Sequence, residues 1–303
     1  MSDRETFKKE LEERTKEIGQ LLEKYLPQEE GYQKTIFEAM NYSVRAGGKR
    51  LRPMLMQETC RLFTGTVLES VEPFMAAIEL IHTSSLVHDD LPCMDDDMMR
   101  RGKASTWAEY GEDMGVLAGD ALMVYAFEVA ASAFKTTEDP DELSRIGQAM
   151  GILARKTGIY GMIGGQTVDV ELAGGPIPKD KLDFIYSLKT GALIQAAMLI
   201  GAVLGGAADE DCKIVENLAE KIGLAFQIQD DILDVTGKEE VIGKSVGSDE
   251  KNQKTTYVTL EGLEKAKKEV DRLSKEAVEE LDKLPGNNEF LENLIQLLAG
   301  RKK

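Results

Sequence analysis

The sequence predicts an all-α protein, and three observations carry that prediction. Ala, Leu, Glu and Lys are abundant, only eight of the 303 residues are proline, and aromatic residues stand at 6%. Straight-chain residues and alanine lose little freedom in a helix, whereas strands favour the β-branched and aromatic runs that are scarce here. Apolar positions recur at the helical period, as in Val71, Phe74, Met75, Ile78 and Ile81. Finally, breaks fall at Pro27, Gly47-Gly48 and Ala173 to Pro178, between such segments. With 42% apolar residues the chain can bury a substantial core. It has no repeat, low-complexity tract or linker, so residues 1–303 read as a single all-helical domain.

Taken in order, residues 3–26 form an amphipathic surface helix that Pro27 ends. A second helix covers residues 32–45 and stops at Gly47-Gly48, the glycine position that follows a helix. Lys49-Arg50-Leu51-Arg52-Pro53 opens a third, to Phe63, and a fourth runs from Val71 to Asp90. Helices are expected at 112–135 and at 141–173, the latter with Asp139 as N-cap, Pro140 in the first turn and Glu142 three residues after the cap. A helix at 179–188 follows the Gly/Pro break.

From Thr190 to Ala208 nineteen residues carry no charge, near the length of a membrane span. Ten of the nineteen are Ala or Gly and Gln195 interrupts them, so a buried central helix is expected and no membrane span. A helix at 210–234, an ordered loop or flap from Val235 to Lys254, helices at 261–284 and 287–299, and the basic tail Arg301-Lys302-Lys303 complete the chain.

A formal charge of −17 argues against a nucleic-acid surface, which needs clustered positive charge. Small anions remain open to it if metals and a few cations receive them. Cys60, Cys93 and Cys212 are widely spaced and form no C-x-x-C pair. That usage implies a reducing, cytoplasmic setting and no structural zinc. The charged, helical N-terminus is unlike a secretory signal.

Chemistry concentrates in two acidic clusters. Asp89, Asp90, Asp95, Asp96 and Asp97 pack five carboxylates into nine residues at the end of an apolar helix, and Arg100-Arg101 close the run. Like charges that close repel, and hard oxygen donors suit Mg²⁺. The second cluster is Asp230-Asp231-Ile232-Leu233-Asp234. There Ile222, Phe226, Asp230 and Asp234 are spaced by four, so the carboxylates extend an apolar stripe and point inward. Ile78, Ile81/His82, Ser85 and Asp89 form the matching stripe in the first. Asp89 and Asp95 are six apart, off one helical face; Pro92 removes a helical hydrogen bond and lets two residues loop out, bringing Asp95 near an i+4 position. Lys49, Arg52, Arg100, Arg101, Lys189, Lys244 and Lys254 stand beside glycines and acidic motifs. Two acidic ends, Mg²⁺ and several cations read as a diphosphate site.

At this point the chain resembles a short-chain trans-prenyl diphosphate synthase of the farnesyl/geranylgeranyl diphosphate synthase family, over nearly its full length. The residues that carry the resemblance are Gly47-Gly48-Lys49-Arg50-Leu51-Arg52-Pro53, Asp89-Asp90-x4-Asp95, Gly165-Gln166-Thr167-Val168-Asp169, Lys189-Thr190, Gln227 to Asp234, Gly243-Lys244 and Lys254-Thr255-Thr256-Tyr257. The resemblance implies a helical bundle around a central cavity, a homodimer, and head-to-tail condensation of an allylic diphosphate with isopentenyl diphosphate. It implies three Mg²⁺ ions, two held by Asp89 and Asp95 and one by Asp230, with Asp90, Asp169, Asp231 and Asp234 orienting water or ligands behind them. It further implies that Arg100, Lys189 and Lys254 bind the allylic diphosphate with Lys244 nearby. Lys49, Arg52, His82 and Arg101 would bind isopentenyl diphosphate. The Lys189 carbonyl, the Thr190 hydroxyl and the Gln227 amide would face the carbocation, with the released diphosphate as base. His88 is left to a structural role or to one behind the ligands.

In that family the residues four and five before the first Asp, here Ser85 and Ser84, form part of the pocket floor. Serine leaves room, and one helical turn of about 5.4 Å is close to one isoprene unit. This favours the C20 product, with C15 as runner-up, because Met114, Met123, Tyr125 or a partner subunit can supply a floor instead. Of the rival readings, a di-metal carboxylate bundle needs Glu-x-x-His ligands that are missing here. A class I terpene cyclase lacks the second aspartate cluster and the Gly-Gly-Lys element. A non-catalytic regulatory subunit would have lost its aspartates.

Overall fold

The structure, a computed structural model, describes residues 3–236 and 255–299. Helices account for about three quarters of the chain. In chain order these are α1 (Asp3–Tyr25), α2 (Lys34–Arg45), α3 (Leu51–Thr64), α4 (Val71–Asp89), α5 (Thr106–Tyr110), α6 (Glu112–Ala131) and α7 (Pro140–Thr157). They continue with α8 (Met162–Glu171), α9 (Lys179–Ile185), α10 (Gly191–Leu204), α11 (Asp209–Thr236), α12 (Tyr257–Glu261), α13 (Leu263–Leu281) and α14 (Glu289–Ala299). A two-residue hairpin, β1 (Met99–Arg100) with β2 (Lys103–Ala104), is the sole pairing of strands among the described residues. The chain divides into two compact units, Met1–Gln57 with Leu68–Met150, and Glu58–Val67 with Gly151–Lys303.

The first unit is organised on α4. Phe74, Met75, Ile78 and Ile81 are wholly buried there, and α6 packs along it through Gly115, Ala118, Gly119, Leu122 and Ala126. The small residues are required by the close approach: a Cβ on Gly119 would overlap the imidazole of His88. That imidazole lies 3.2 Å from the Val116 carbonyl, so His88 latches α4 to α6. α1 covers the core with Ile18 and Leu22 and leaves its other face to solvent, as its amphipathic pattern predicts.

In the second unit all fourteen residues of α10 are buried. Together with α9 and the π-turn between them it forms a run, Lys179–Leu204, long and apolar enough to cross a membrane, but the burial of α10 is that of a core helix. Gln195, the polar break in the run, accepts from Lys156 Nζ at 2.5 Å, and Lys156 also pairs with Glu216 at 2.9 Å. Gly191 and Gly223 let α10 and α11 touch backbone to backbone; a Cβ on Gly223 would fall 2.8 Å from Cα of Gly191. Ile228 and Ile232 of α11 then meet Ile177, Leu182, Ile185, Val270 and Leu273 in one apolar cluster.

Three local features depart from the sequence expectation. The helix expected over 141–173 begins at its predicted cap, with Asp139 Oδ1 accepting from the Glu142 amide at 2.8 Å, but it breaks between α7 and α8 at Gly158 to Gly161. A Cβ on Gly161 would overlap the Lys156 carbonyl, so the reversal requires glycine. The helix expected over 179–188 ends in a π-turn, Tyr186–Thr190. The hairpin has no counterpart in the sequence expectation; Arg101 and Gly102 both take positive φ, 53° and 78°, as a two-residue type I′ turn demands. The expected flap, from residue 237 on, lies outside the described residues.

Candidate active site

The first acidic run caps α4. The Asp95 amide donates to the Asp89 carbonyl at 2.9 Å, the Asp97 amide to the Asp90 carbonyl at 3.1 Å, and the Met94 and Asp96 amides both donate to the Leu91 carbonyl. Pro92, which has no N–H to donate, sits where the helix opens into this loop. The six-residue spacing is thereby closed, and Asp95 returns to the helix end that carries Asp89. Asp96 has φ 53°, the positive value that lets the chain turn back.

β1 then carries Arg100 onto Asp90. Arg100 Nε is 3.0 and 3.1 Å from the two carboxylate oxygens, Nη2 also donates to Oδ1, and Asp97 lies 3.3 Å away. The Asp90 side chain is 3% exposed. Burial raises its carboxyl above the ordinary range, and the Arg100 guanidinium opposes that rise. Asp90 therefore holds Arg100 in place. Arg101, at the turn, lies over Gly47-Gly48 and donates to the Gly47 carbonyl. Gly48 has φ 138°, and a Cβ there would be 2.9 Å from that guanidinium, so the glycines make its seat.

Arg50 is a functional-looking residue of a different kind. It is 7% exposed, bonded to Glu79 Oε1 and to the Val44 carbonyl, each at 2.6 Å. This buried pair ties the segment between Lys49, in the loop, and Arg52, in the first turn of α3, to α4. Position alone does not separate it from its basic neighbours. His82, half-buried on α4, is held well below the ordinary imidazole value of 6.5, first by burial and then by the charges of Arg52, Arg101, Arg50 and Arg100. A neutral imidazole near four guanidiniums is an arrangement that suits an anion, whose charge would relieve their mutual repulsion. Further along α4, Ser84 is wholly buried, with its hydroxyl 3.0 Å from the Ile81 carbonyl and 3.9 Å from Met123 Sδ of α6. Ser85 is half-buried and bonds the His82 carbonyl at 2.9 Å.

The second unit carries the other residues. Asp230 and Asp234 are half-buried on α11, one turn apart, above Ile222. Asp231 is 3% exposed; its Oδ2 accepts from the Tyr186 hydroxyl at 2.6 Å and the Tyr257 amide at 2.8 Å. Its Oδ1 faces Gln227 Nε2 at 3.4 Å, and Gln227 Oε1 accepts from the Thr190 hydroxyl at 2.8 Å. Lys189, in the π-turn, pairs with Asp169 at 2.6 Å. Gly165 makes that turn reachable, since a Cβ there would overlap the Lys189 amide nitrogen. A π-turn widens the helix at one point and re-aims the carbonyls around it, which is why such turns recur at functional sites. Lys244 and Lys254 lie outside the described residues. Sequence reasoning missed Tyr186 and assigned no role to Tyr257, the last residue of its motif; both meet Asp231 in space.

Hard oxygen donors at both acidic ends fit Mg²⁺. Among the described residues no three acidic, histidine or cysteine side chains close into a cluster.

Against known proteins, the chain matches the family model for polyprenyl synthetase over residues 33–294. It is 43% identical to a geranylgeranyl diphosphate synthase of Cyanophora paradoxa, over 89% of this chain and 88% of that protein. It is 46% identical to a chloroplastic geranylgeranyl pyrophosphate synthase of Catharanthus roseus, over 81% of this chain and 68% of the other. The crystal structure of an FPP/GFPP synthase from Zymomonas mobilis superposes with a TM-score of 0.84 at 33% identity, covering 97% of this chain and 99% of the other. A geranyltransferase from Helicobacter pylori, crystallised with magnesium and isoprenyl diphosphate, gives a TM-score of 0.81 at 32% identity over 98% and 97%.

Proposed function

The chain belongs to the polyprenyl synthetase family and is a prenyltransferase, and from that premise we propose that it joins isopentenyl diphosphate head-to-tail to dimethylallyl, geranyl and farnesyl diphosphates, ending at the C20 geranylgeranyl diphosphate. The observation that carries the site is the return of Asp95 to Asp89 at the end of α4, with a neutral His82 earlier on the same helix under the charges of four arginines.

Arg100, oriented by Asp90, and Lys189, oriented by Asp169, hold the allylic diphosphate, with Lys244 and Lys254 as further cations. Three Mg²⁺ ions, held by Asp89, Asp95 and Asp230, would neutralise the charge that collects on the departing diphosphate. Lys49, Arg52, His82 and Arg101 receive isopentenyl diphosphate. As the allylic C–O bond breaks, the Lys189 carbonyl, the Thr190 hydroxyl and the Gln227 amide stabilise the cation. The alkene attacks it, and the released diphosphate takes the last proton.

The geranylgeranyl diphosphate synthases among its relatives support the C20 product, and so does serine at position 84. One observation favours the runner-up, farnesyl diphosphate at C15: Met123 lies beside Ser84 and fills part of the room that serine leaves. Methionine has three rotatable bonds and yields, so C20 stays the reading. Chromatography of products made from isopentenyl and dimethylallyl diphosphates tests it. C20 as end product is expected, and accumulation at C15 with no extension of added farnesyl diphosphate would overturn it. A Ser84→Tyr variant should shorten the product; an unchanged chain length would remove Ser84 from the floor.

The protein is further proposed to work as a homodimer through α6. Leu117 and Val124 are 50% and 71% exposed there, and with Tyr32, Ile36 and Met114 they line a groove of about 640 Å³. An apolar surface of that kind suits a second copy of the chain.

A further inference from the structure

We propose that Asp231 is a positioning residue: it sets the direction of the Thr190–Gln227 hydrogen bond, and with it the sign of the dipole turned toward the reacting carbon. The inference rests on the prenyl-transfer reading and deepens it.

The argument follows donors and acceptors. An ionised carboxylate only accepts hydrogen bonds. Oδ2 of Asp231 is engaged by the Tyr186 hydroxyl at 2.6 Å and by the Tyr257 amide at 2.8 Å. Oδ1 therefore attracts the NH2 end of Gln227, which stands 3.4 Å away, and would repel the carbonyl end. With the amide so oriented, Gln227 Oε1 faces Thr190 and accepts its hydroxyl at 2.8 Å. Thr190 has one hydroxyl hydrogen, and Gln227 takes it. The lone pairs of Thr190 Oγ1, the negative end of the group, are left for the allylic carbon as positive charge develops there.

With the amide reversed, Gln227 NH2 would donate to Thr190 Oγ1. The threonine hydrogen would then have to point elsewhere, and the positive end of the O–H bond would face the cation. A residue that touches neither diphosphate nor carbon thus decides whether Thr190 helps or hinders ionisation. The same carboxylate anchors the start of α12 through Tyr257, so a purely structural role has to be separated from this one.

Asp231→Asn separates them. The Tyr257 amide can only donate, so the introduced side-chain amide turns its carbonyl oxygen to Tyr186 and Tyr257 and keeps that anchor. Its NH2 then faces Gln227 and demands the opposite orientation of the Gln227 amide. The pair exchange Asp231→Asn with Gln227→Glu restores the net charge and the direction of the Thr190 hydrogen bond, and reverses only the bond between positions 227 and 231. The carboxylate, moved to position 227, accepts from the NH2 at position 231 and from the Thr190 hydroxyl.

The experiment measures steady-state kinetics with Mg²⁺, isopentenyl diphosphate and geranyl diphosphate, alongside thermal unfolding. Asp231→Asn is expected to lower kcat by about tenfold or more, as for other misdirected donors at a charged transition state, while KM for both diphosphates and the unfolding midpoint hold. The exchange is expected to recover most of kcat. Unchanged kcat in Asp231→Asn, or an exchange variant no better than the single one, would overturn the proposal. If the wild type fails with every allylic diphosphate, the prenyl-transfer reading itself falls. The orientation is then read from the Gln227 side-chain NH2 resonances: displacement in Asp231→Asn supports it, and resonances that stay in place overturn it.

Discussion

At the scale of single residues each of three cations of the candidate site is held by a carboxylate: Asp90 holds Arg100, Asp169 holds Lys189, and Glu79 holds the buried Arg50. Arg50→Met would strand the Glu79 carboxylate, which is 2% exposed, and should cost about 3–5 kcal/mol in urea unfolding, whereas adding Glu79→Leu should recover much of that loss. His82 makes a pH prediction. The unfolded imidazole takes up a proton near 6.5, the folded one well below it. The unfolded chain therefore binds more protons in that window, so this contribution is fully present above about pH 6.5 and is lost as pH falls. The wild type should lose more stability than His82→Gln between about pH 7 and pH 5.5; parallel profiles from the two would refute the assignment. The closing of Asp95 onto Asp89 is legible from Pro92 and the six-residue spacing. The engagement of Asp90 and Asp231 by protein donors is not, because their partners are brought in by β1, the π-turn and α12. Nor does Arg50 differ in sequence from Lys49 and Arg52; burial alone sets it apart.

Elements show how glycine placement positions chemistry. Gly165→Ala would push a Cβ into the Lys189 backbone, where no flexible side-chain end can move aside. It should destabilise by about 1–3 kcal/mol and shift the π-turn, seen as a lowered melting point and a lowered kcat. Gly147→Ala on α7 is the control: nothing lies within 4 Å of its Cβ, and it should be neutral or stabilising by about 0.5–1 kcal/mol. The helices and their caps are largely readable, since apolar period and capping residues act locally; Asp139 is where its spacing to Glu142 puts it. The break at Gly158 to Gly161 is not readable, because the apolar pattern runs on through it. The hairpin escapes as well, for two-residue strands are too short to show an alternation.

For the whole molecule, composition and charge are the informative quantities. Helix-forming residues foretell the all-α fold. The alanine- and glycine-rich run foretells a buried α10, where hydropathy alone would suggest a membrane. What composition does not convey is which apolar face would meet a second copy in the proposed dimer. Leu117→Glu with Val124→Glu should yield a monomer in sedimentation, and an unchanged species would move the interface off α6.

The acidic residues lie in two units, Asp89 and Asp95 in one and Asp230 in the other, and the proposed reaction requires both sets. The most direct test is the rate of diphosphate release from isopentenyl and farnesyl diphosphates, with Mg²⁺ and with chelator, for the wild type, Asp89→Ala and Asp230→Ala. Release that needs Mg²⁺ and falls by about a hundredfold or more in each variant is the predicted result. Release that survives the chelator, or an Asp230→Ala enzyme as fast as the wild type, would contradict it.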